Sequence, residues 1–275
     1  GQAVGTVLME DKGSRPTVVI GKDTRISSDM LESALMAGLC SVGSDVKPVG
    51  TIPTPAVAYL TVQEKADAGI VISASHNPYE HNGIKVFSGQ GYKLSDSVEA
   101  RIEEKILSQE PMKLRTRGEI GRRHHGMRQL KRDYIDFVAS TIESDLAGLK
   151  ILADCANGAA YHIAPDVYHE LGATVVCGGN TPDGFNINEG VGATHTETLP
   201  DRVQKAGCDI GIALDGDADR LIMADRRQVY NGDQLLYLIA KDRMNRGVLS
   251  GVVGTLMTNF AIEKQFKKLG VPFHR

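Results

Sequence analysis

One local pattern occurs three times along this chain of 275 residues. It consists of a short β-branched strand, a helix that ends at a glycine, and a second strand, and it begins near residues 17, 150 and 251. Strands that alternate with helices indicate parallel pairing and right-handed crossovers. The copies are too far apart for a solenoid, whose repeats are ~20–50 residues long. The chain is therefore predicted to be an α/β protein built from tandem related domains.

The predicted domain boundaries follow from this repeat. Residues 111–126 are rich in Arg, Gly and His and lack a periodic pattern, which is typical of a connection. We expect the first domain over residues 1–118, a linker over 119–127, and the second domain over 128–228. The third domain is expected to begin at residue 229 and to be incomplete at 275, because the third copy stops just after its second strand begins. On this reading the chain is a fragment of a longer protein.

The charge balance limits the partners that we expect. Lys and Arg number 31 against 34 Asp and Glu, a net charge of −3, so no basic excess favours nucleic acid or an anionic membrane. No apolar stretch approaches the ~20 residues of a membrane span, and the first residues resemble no secretory signal. None of the four cysteines lies in a C-x-x-C spacing, which favours reduced, mostly buried thiols in a cytoplasmic protein.

Three aspartates alternate after the third strand of the second copy, in the segment Asp215-Gly-Asp-Ala-Asp219-Arg220. In an extended segment Asp215, Asp217 and Asp219 face the same side, where their carboxylates repel unless a cation lies between them. Oxygen ligands favour Mg²⁺ or Ca²⁺ over Zn²⁺, and Arg220 at the sixth position excludes an EF-hand loop. An open Mg²⁺ shell takes phosphate oxygens, which also suit the guanidinium of Arg220. The loop predicts a phosphoryl-transfer site, with a solvated acidic turn as the alternative.

A serine loop follows the equivalent strand of the first copy. Asn77 and Pro78 predict a sharp turn that exposes Ser75 beside His76. Since no G-x-S-x-G elbow is present, a serine hydrolase is excluded. Ligands bind outside the carboxyl ends of parallel strands, so this loop and the acidic loop occupy equivalent ends of two domains. We therefore expect Ser75 to carry a phosphoryl group, whose oxygens would complete the shell of the cation.

Lys85 lies a few residues further on, after an Asn-Gly turn. Its amine could exchange protons with a substrate hydroxyl if partial burial lowers its pKa. An ordinary solvated lysine on a strand is the alternative interpretation.

These segments resemble a known family. The stretches Ser73–Phe87 (SASHNPYEHNGIKVF) and Asp215–Arg220 (DGDADR) are similar to the α-D-phosphohexomutase superfamily. Softer matches favour its bacterial phosphoglucosamine mutase branch; they are PDGFNIN at 182–188, VGATH at 191–195 and GTLMTN at 254–259. The resemblance implies tandem three-layer α/β domains with mixed or parallel sheets, the third of them incomplete here.

The resemblance also implies an activity. Enzymes of this branch interconvert glucosamine 6-phosphate and glucosamine 1-phosphate through a 1,6-bisphosphate, for UDP-N-acetylglucosamine and peptidoglycan precursor synthesis. The substrate would be a phosphorylated amino sugar, glucose or glucosamine 1,6-bisphosphate would be the activator, and a homodimer is one expectation for the assembly. The alternatives are a phosphomannomutase or phosphoglucomutase of the same superfamily, or an inactive metal- or sugar-phosphate-binding fragment.

Roles for individual residues come with the resemblance. Ser75 would be the phosphoserine, and Mg²⁺ would be held by the serine phosphate together with Asp215, Asp217 and Asp219. Lys85, His76 and Arg220 would assist proton movement and charge stabilisation. The family's FGTDG[IV]RG opening, GExSGH loop and RPSGT loop are absent from the sequence, so little turnover is expected from these 275 residues alone.

Overall fold

The structure, a computed structural model, describes residues 1–108, 110–125 and 128–275. Its first domain is built on a four-stranded sheet of order β2-β1-β3-β4. The strands are β1 (Thr17–Lys22), β2 (Asp45–Thr51), β3 (Ala68–Ile72) and β4 (Ile84–Ser88). The first three are parallel, and β4 pairs antiparallel with β3.

Helices cover both faces of this sheet. They are α1 (Gln2–Lys12), α2 (Ile26–Ser41), α3 (Thr54–Gln63) and α4 (Asp96–Leu107). Val57 and Leu60 of α3 pack on one face with Val19 and Val71. Leu35 and Leu39 of α2 pack on the other face, where α1 and α4 also contribute apolar side chains. This alternation along each strand produces three layers, because successive side chains of a strand point to opposite faces.

The second domain repeats that topology. Its sheet has the order β6-β5-β7-β8-β9, in which β5, β6 and β7 are parallel and the last two strands pair antiparallel. The elements are β5 (Lys150–Asp154), α6 (Ile163–Glu170), β6 (Thr174–Gly178), α7 (Leu199–Lys205), β7 (Ile210–Leu214), β8 (Leu221–Ala224) and β9 (Val229–Tyr230). Helices α6 and α7 pack on opposite faces. The prediction of tandem three-layer domains with mixed sheets is confirmed.

Helix α5 (Arg128–Ala139) joins the two domains. Its Leu130, Tyr134 and Ile135 lie in one apolar cluster with residues of α3 and of α6. Of the predicted linker, Arg122 and Arg123 lie along the edge of β2, where the Arg122 amide donates to Asp45 Oδ1 at 2.8 Å. Residues 126 and 127 of the linker lie outside the described residues.

The last part of the chain forms a small third unit. It contains α8 (Gly232–Asn245), β10 (Val252–Val253), α9 (Phe260–Lys268) and β11 (Phe273–His274). The two strands are parallel, and Ala240, Val252 and Phe266 form its core. Asn259 caps α9 through a bond from the Ala261 amide to its side chain. The unit is an incomplete copy of the domains before it.

The cysteines and the helices bear on two further expectations. All four cysteines are free; Cys155 and Cys208 are buried and Cys40 is half-buried, but Cys177 on the outer strand β6 is exposed. The expectation of mostly buried thiols therefore does not hold for Cys177. Among the described residues, no helix has the length and apolar content that crossing a bilayer requires.

Candidate active site

The serine loop and the acidic loop meet between the first two domains. Ser75 follows β3 and Asp215 follows β7, and the Ser75 hydroxyl donates to Asp215 Oδ2 at 2.6 Å. Both residues are buried. The prediction that the turn exposes Ser75 is therefore wrong, because Gly216 and Asn188 of the second domain lie against the serine loop. The carboxyl ends of the two sheets therefore face one another, and the convergence expected from the sequence is present in the structure.

The serine loop holds Ser75 in an uncommon backbone conformation. Its φ is +52°, in the left-handed region, which costs a residue with a side chain ~1–2 kcal/mol. The Ser75 amide donates to Ser73 Oγ at 3.0 Å. A strained backbone conformation persists only where the surrounding structure holds it in place. Here the Ser75 hydroxyl points toward the acidic loop.

Two buried side chains hold the carbonyl groups of this loop. Arg25 donates from Nη2 to the backbone oxygens of Ser75 and Asn77, at 3.2 and 2.5 Å, and it forms a buried ion pair with Asp23. Asn188 of the second domain donates from Nδ2 to the same two oxygens, at 2.9 and 3.0 Å. The sequence reasoning assigned neither Arg25 nor Asn188 a role. Asn188 does lie in the PDGFNIN segment that carried the family resemblance.

The acidic loop collects three carboxylates with different exposures. Asp215 and Asp217 are fully buried, whereas the Asp219 side chain is 38% exposed. One oxygen of each lies within 4.8 Å of the others. Asp217 Oδ1 is buried without a hydrogen-bond partner among the described residues. Buried polar atoms are normally paired, so this oxygen and the hard carboxylate set fit a divalent cation such as Mg²⁺.

The pKa values of the two buried carboxyl groups are shifted in opposite directions. Burial raises the pKa of Asp215, and the charges of Asp217 and Asp219 add to this against the hydrogen bond from Ser75. Burial also disfavours the charged form of Asp217, but hydrogen bonds from Lys85 and Thr54 outweigh it and lower its pKa. Hydrogen bonds thus stabilise the charged form of Asp217, whereas Asp215 releases its proton less readily than an ordinary aspartic acid.

Lys85 points into the acidic loop from β4. Its Nζ lies 2.6 Å from Asp217 Oδ2 and 3.6 Å from Asp219 Oδ2. Burial alone would lower the pKa of Lys85, but the hydrogen bonds and charges of the two aspartates raise it. The pKa of Lys85 is thus raised and not lowered, and its ion pairs with the two aspartates distinguish it from an ordinary solvated lysine. A part for Lys85 in proton exchange stays a prediction.

The two loops fit each other closely at Gly216. A Cβ at this position would lie 2.5 Å from the Ser75 carbonyl oxygen and 2.8 Å from Asn188 Nδ2. Thr54 completes the contact, because its hydroxyl donates to Asp217 Oδ2 at 2.7 Å and its amide to the Asp217 carbonyl at 2.9 Å. A glycine is required here by close approach rather than by a turn.

His76 and Arg220 lie at the rim of the site. The exposed His76 lines a cavity of about 490 Å³ with Tyr79, Phe185 and His195, and within the described residues it makes no hydrogen bond to the acidic loop. The Arg220 amide donates to Asp215 Oδ1 at 3.2 Å. Its side chain is 56% exposed, with Nε 3.8 Å from Asp219 Oδ1. The structure thus brings Ser75, Lys85 and the three aspartates together. Arg220 meets this cluster only at its edge, through Asp219, and His76 lies outside it.

The chain is similar in sequence to one family of known proteins. Models of the phosphoglucomutase/phosphomannomutase α/β/α domains I, II and III match residues 1–113, 132–229 and 231–275. Phosphoglucosamine mutase of Janthinobacterium sp. (strain Marseille) is 54% identical over 280 residues, and that of Bordetella petrii is 55% identical over 282. Both alignments cover 100% of this chain and 62% of the relative, so the chain spans less than two thirds of these curated relatives.

Solved structures share the fold. A phosphoglucomutase/phosphomannomutase family protein from Burkholderia thailandensis has a TM-score of 0.81 at 24% identity, covering 99% of this chain and 61% of that one. Aspergillus fumigatus N-acetylphosphoglucosamine mutase, solved in complex with GlcNAc-6P and magnesium, has a TM-score of 0.55 at 18% identity, covering 80% and 59%. At these identities the structures support the architecture alone.

Proposed function

Because the chain belongs to the phosphoglucomutase/phosphomannomutase family, we propose that the full-length protein is a phosphoglucosamine mutase. It would interconvert glucosamine 6-phosphate and glucosamine 1-phosphate, which supplies the precursor of UDP-N-acetylglucosamine and peptidoglycan in the cytoplasm. Relatives at 54–55% identity over the whole chain carry that name, and this supports the choice of amino sugar.

One observation carries the proposal. The Ser75 hydroxyl lies 2.6 Å from Asp215, beside two further carboxylates from the same loop. A hydroxyl against three carboxylates is a poor arrangement for stability alone, because like charges within a few ångströms repel. It suits a phosphorylated serine that shares a cation with those carboxylates.

The same residues would hold the metal. Asp215, Asp217 and Asp219 would each give an oxygen to one Mg²⁺, and the phosphate on Ser75 would give another. The unpartnered buried oxygen of Asp217 supports this assignment. When bound, the ion would neutralise negative charge on the phosphoryl oxygens.

Ser75 would carry the phosphoryl group through the cycle. The bond from Ser75 Oγ to phosphorus would break as the free hydroxyl oxygen of the sugar phosphate bonds to the same phosphorus, and the proton lost by that hydroxyl would end on Ser75 Oγ, which restores the serine hydroxyl. The product is a 1,6-bisphosphate, which presents its other phosphate to Ser75 and returns that group by the reverse step. Glucose or glucosamine 1,6-bisphosphate added from outside would load Ser75 in the same way and so act as the activator.

Three further side chains would stabilise negative charge or move protons during this transfer. Lys85 places an ammonium beside Asp217 and Asp219, where it would face the phosphoryl group on Ser75. The exposed Arg220 can reach phosphate oxygens with its planar guanidinium. His76, next to Ser75 in the chain, would accept or deliver a proton at the rim of the site.

Intact mass of the full-length protein tests the carrier role. After incubation with glucose 1,6-bisphosphate and Mg²⁺, we expect a species heavier by one phosphoryl group. It should be absent in Ser75→Ala and present in the control Ser73→Ala. Phosphate uptake that persists in Ser75→Ala, or none in the wild-type protein, would contradict the proposal.

A phosphomannomutase or phosphoglucomutase is the second candidate. It is favoured by the name of the matching family. Values of kcat/KM with glucosamine, glucose and mannose phosphates separate the candidates, and we expect the highest value with glucosamine phosphate. A protein that never takes up phosphate would instead be a sugar-phosphate- or metal-binding relative. Light scattering would test the expected homodimer.

A further inference from the structure

The serine loop is held by donors from two domains, and one of them has no part in the chemistry proposed above. We infer that Asn188 is a positioning residue that sets the Ser75 hydroxyl against the acidic loop. This inference rests on the proposed phosphoryl transfer at Ser75. It concerns the relative placement of the two domains that carry the serine loop and the acidic loop.

The contacts of Asn188 reach both sides of the site. Its Nδ2 donates to the carbonyl oxygens of Ser75 and Asn77, while its own amide donates to the Ala156 carbonyl of the second domain at 2.8 Å. Arg25 holds the same two oxygens from within the first domain. Since a carbonyl oxygen accepts two hydrogen bonds, both donors act together. The loop is thereby fixed to both domains.

One polar atom of the Asn188 side chain is buried at an energetic cost, and this indicates the role of the side chain. Asn188 is only 5% exposed, and its Oδ1 has no hydrogen-bond partner among the described residues. A buried polar atom without a partner is unfavourable, so an apolar side chain would suit packing better. The side chain is therefore explained by its donor group, which holds Ser75 in its left-handed conformation.

The amide also lies against the acidic loop. A Cβ at Gly216 would come within 2.8 Å of Asn188 Nδ2 and 2.5 Å of the Ser75 carbonyl. The amide thus sits between the serine loop and Gly216, and it makes no hydrogen bond to a carboxylate within the described residues. Removing it should change the rate of phosphoryl transfer and leave metal affinity unchanged.

The test compares three variants of the full-length protein. Asn188 has a φ of +61°, so Asn188→Gly removes the side chain at a position where glycine is at ease. Asn188→Leu keeps a similar volume without a charge, but it has no group that donates to the two carbonyl oxygens. Asn157→Gly is the matched control, because Asn157 is also buried in the second domain and has a φ of +50°. Within the described residues its side chain bonds to its own domain alone, and its contact with Thr24 of the first domain uses the backbone carbonyl, which the substitution keeps.

Two quantities are measured in each variant. The first is the rate at which Ser75 takes up phosphate from glucose 1,6-bisphosphate, as a function of its concentration. The second is the Kd of Mn²⁺ by electron paramagnetic resonance. A misplacement of 1 Å can reduce a rate by ~100-fold, so we expect both Asn188 variants to lower the maximal rate at least about tenfold. Half-saturation and the Mn²⁺ Kd should stay within about twofold of wild type, as should every quantity for Asn157→Gly.

Other results would count against the inference. A maximal rate for both Asn188 variants equal to that of wild type or of Asn157→Gly would overturn it while the proposed function stood. No phosphate uptake by the wild-type protein would overturn the proposed function and this inference together. Should circular dichroism show that Asn188→Gly is unfolded, Asn188→Leu decides the test, because it nearly preserves the volume of the side chain and adds no charge.

Discussion

At the scale of single residues, the site depends on atoms that approach more closely than side chains normally allow. Gly216 leaves room for the Ser75 carbonyl, and Ser75 itself has a positive φ. The three aspartates and Ser75 could be predicted, because alternating carboxylates and a serine in a sharp turn are visible in the sequence itself. Arg25 and Asn188 could not, since they bind backbone carbonyls 50 and 113 residues away. Such contacts leave no pattern in a single sequence.

Gly216→Ala tests the close approach. Its methyl group would force the two loops apart, and such overpacking typically costs ~1–3 kcal/mol. We expect a lower urea midpoint and a slower phosphate uptake by Ser75. Gly232→Ala is the control, because no atom of the described residues lies within 4 Å of a Cβ there, and it should leave both unchanged. Equal effects of the two substitutions would show that the loops yield easily.

The buried pair Asp23–Arg25 gives a second prediction at this scale. Both side chains are fully buried, so Arg25→Leu would leave Asp23 charged and unpaired. We expect it to lower the free energy of unfolding by ~3–5 kcal/mol, measured by urea denaturation. The exposed pair Asp242–Arg246 is the comparison, and Arg246→Leu should cost less than ~1 kcal/mol. A small effect of Arg25→Leu would mean that water or a proton replaces the lost guanidinium.

At the scale of elements, the first four strands of the first two domains have the same order. In each sheet the first strand lies between the second and the third, and the fourth pairs with the third. The third strand of each domain leads into a loop of the site. The alternation of strand and helix predicted these elements, since periodicity is a local property of the sequence. The length of a strand depends instead on the neighbouring strand with which it pairs. The strand predicted to begin near residue 251 is limited to Val252–Val253, because β11 offers only two residues to pair with it.

Helix α8 shows how local chemistry sets an element's start. Asn231 accepts from the Gln234 amide, and the Gln234 side chain accepts in return from the Asn231 amide, a capping box. Asn231→Ala should weaken this helix start by ~0.5–2 kcal/mol, measured as faster hydrogen exchange of the first-turn amides. The exposed Asn245→Ala at the other end of α8 should leave those amides unchanged. Unaltered exchange in Asn231→Ala would show that packing alone fixes the start.

At the scale of the whole molecule, the contact between the first two domains is made largely by the residues of the site. Besides Ser75 and Asn188, Thr54 reaches Asp217, and the Thr24 hydroxyl donates to the Asn157 carbonyl at 2.5 Å. The rule that ligands bind at the carboxyl ends of parallel strands predicted which ends would meet. The relative orientation of the domains could not be predicted, because it is determined by these contacts between distant segments.

Divalent cations should therefore stabilise the domain pair. A ligand that binds only the folded state adds ~2.7 kcal/mol at a hundredfold excess over its Kd. We expect Mg²⁺ to raise the Tm of the wild-type protein relative to EDTA, and Asp217→Asn to abolish the increase. Asp225→Asn, outside the acidic loop, should retain it. An undiminished increase in Asp217→Asn would place the stabilising ion elsewhere.

The fit of Gly216 and Asn188 around the Ser75 loop has a bearing on recombination between relatives. A chimaera that takes its first domain from one parent and its second from another inherits the two halves of this fit separately. Crossovers in the segment before α5 should yield active hybrids when both parents carry glycine and asparagine at these two positions. Parents that differ there would have become incompatible partners, however similar the rest of their domains.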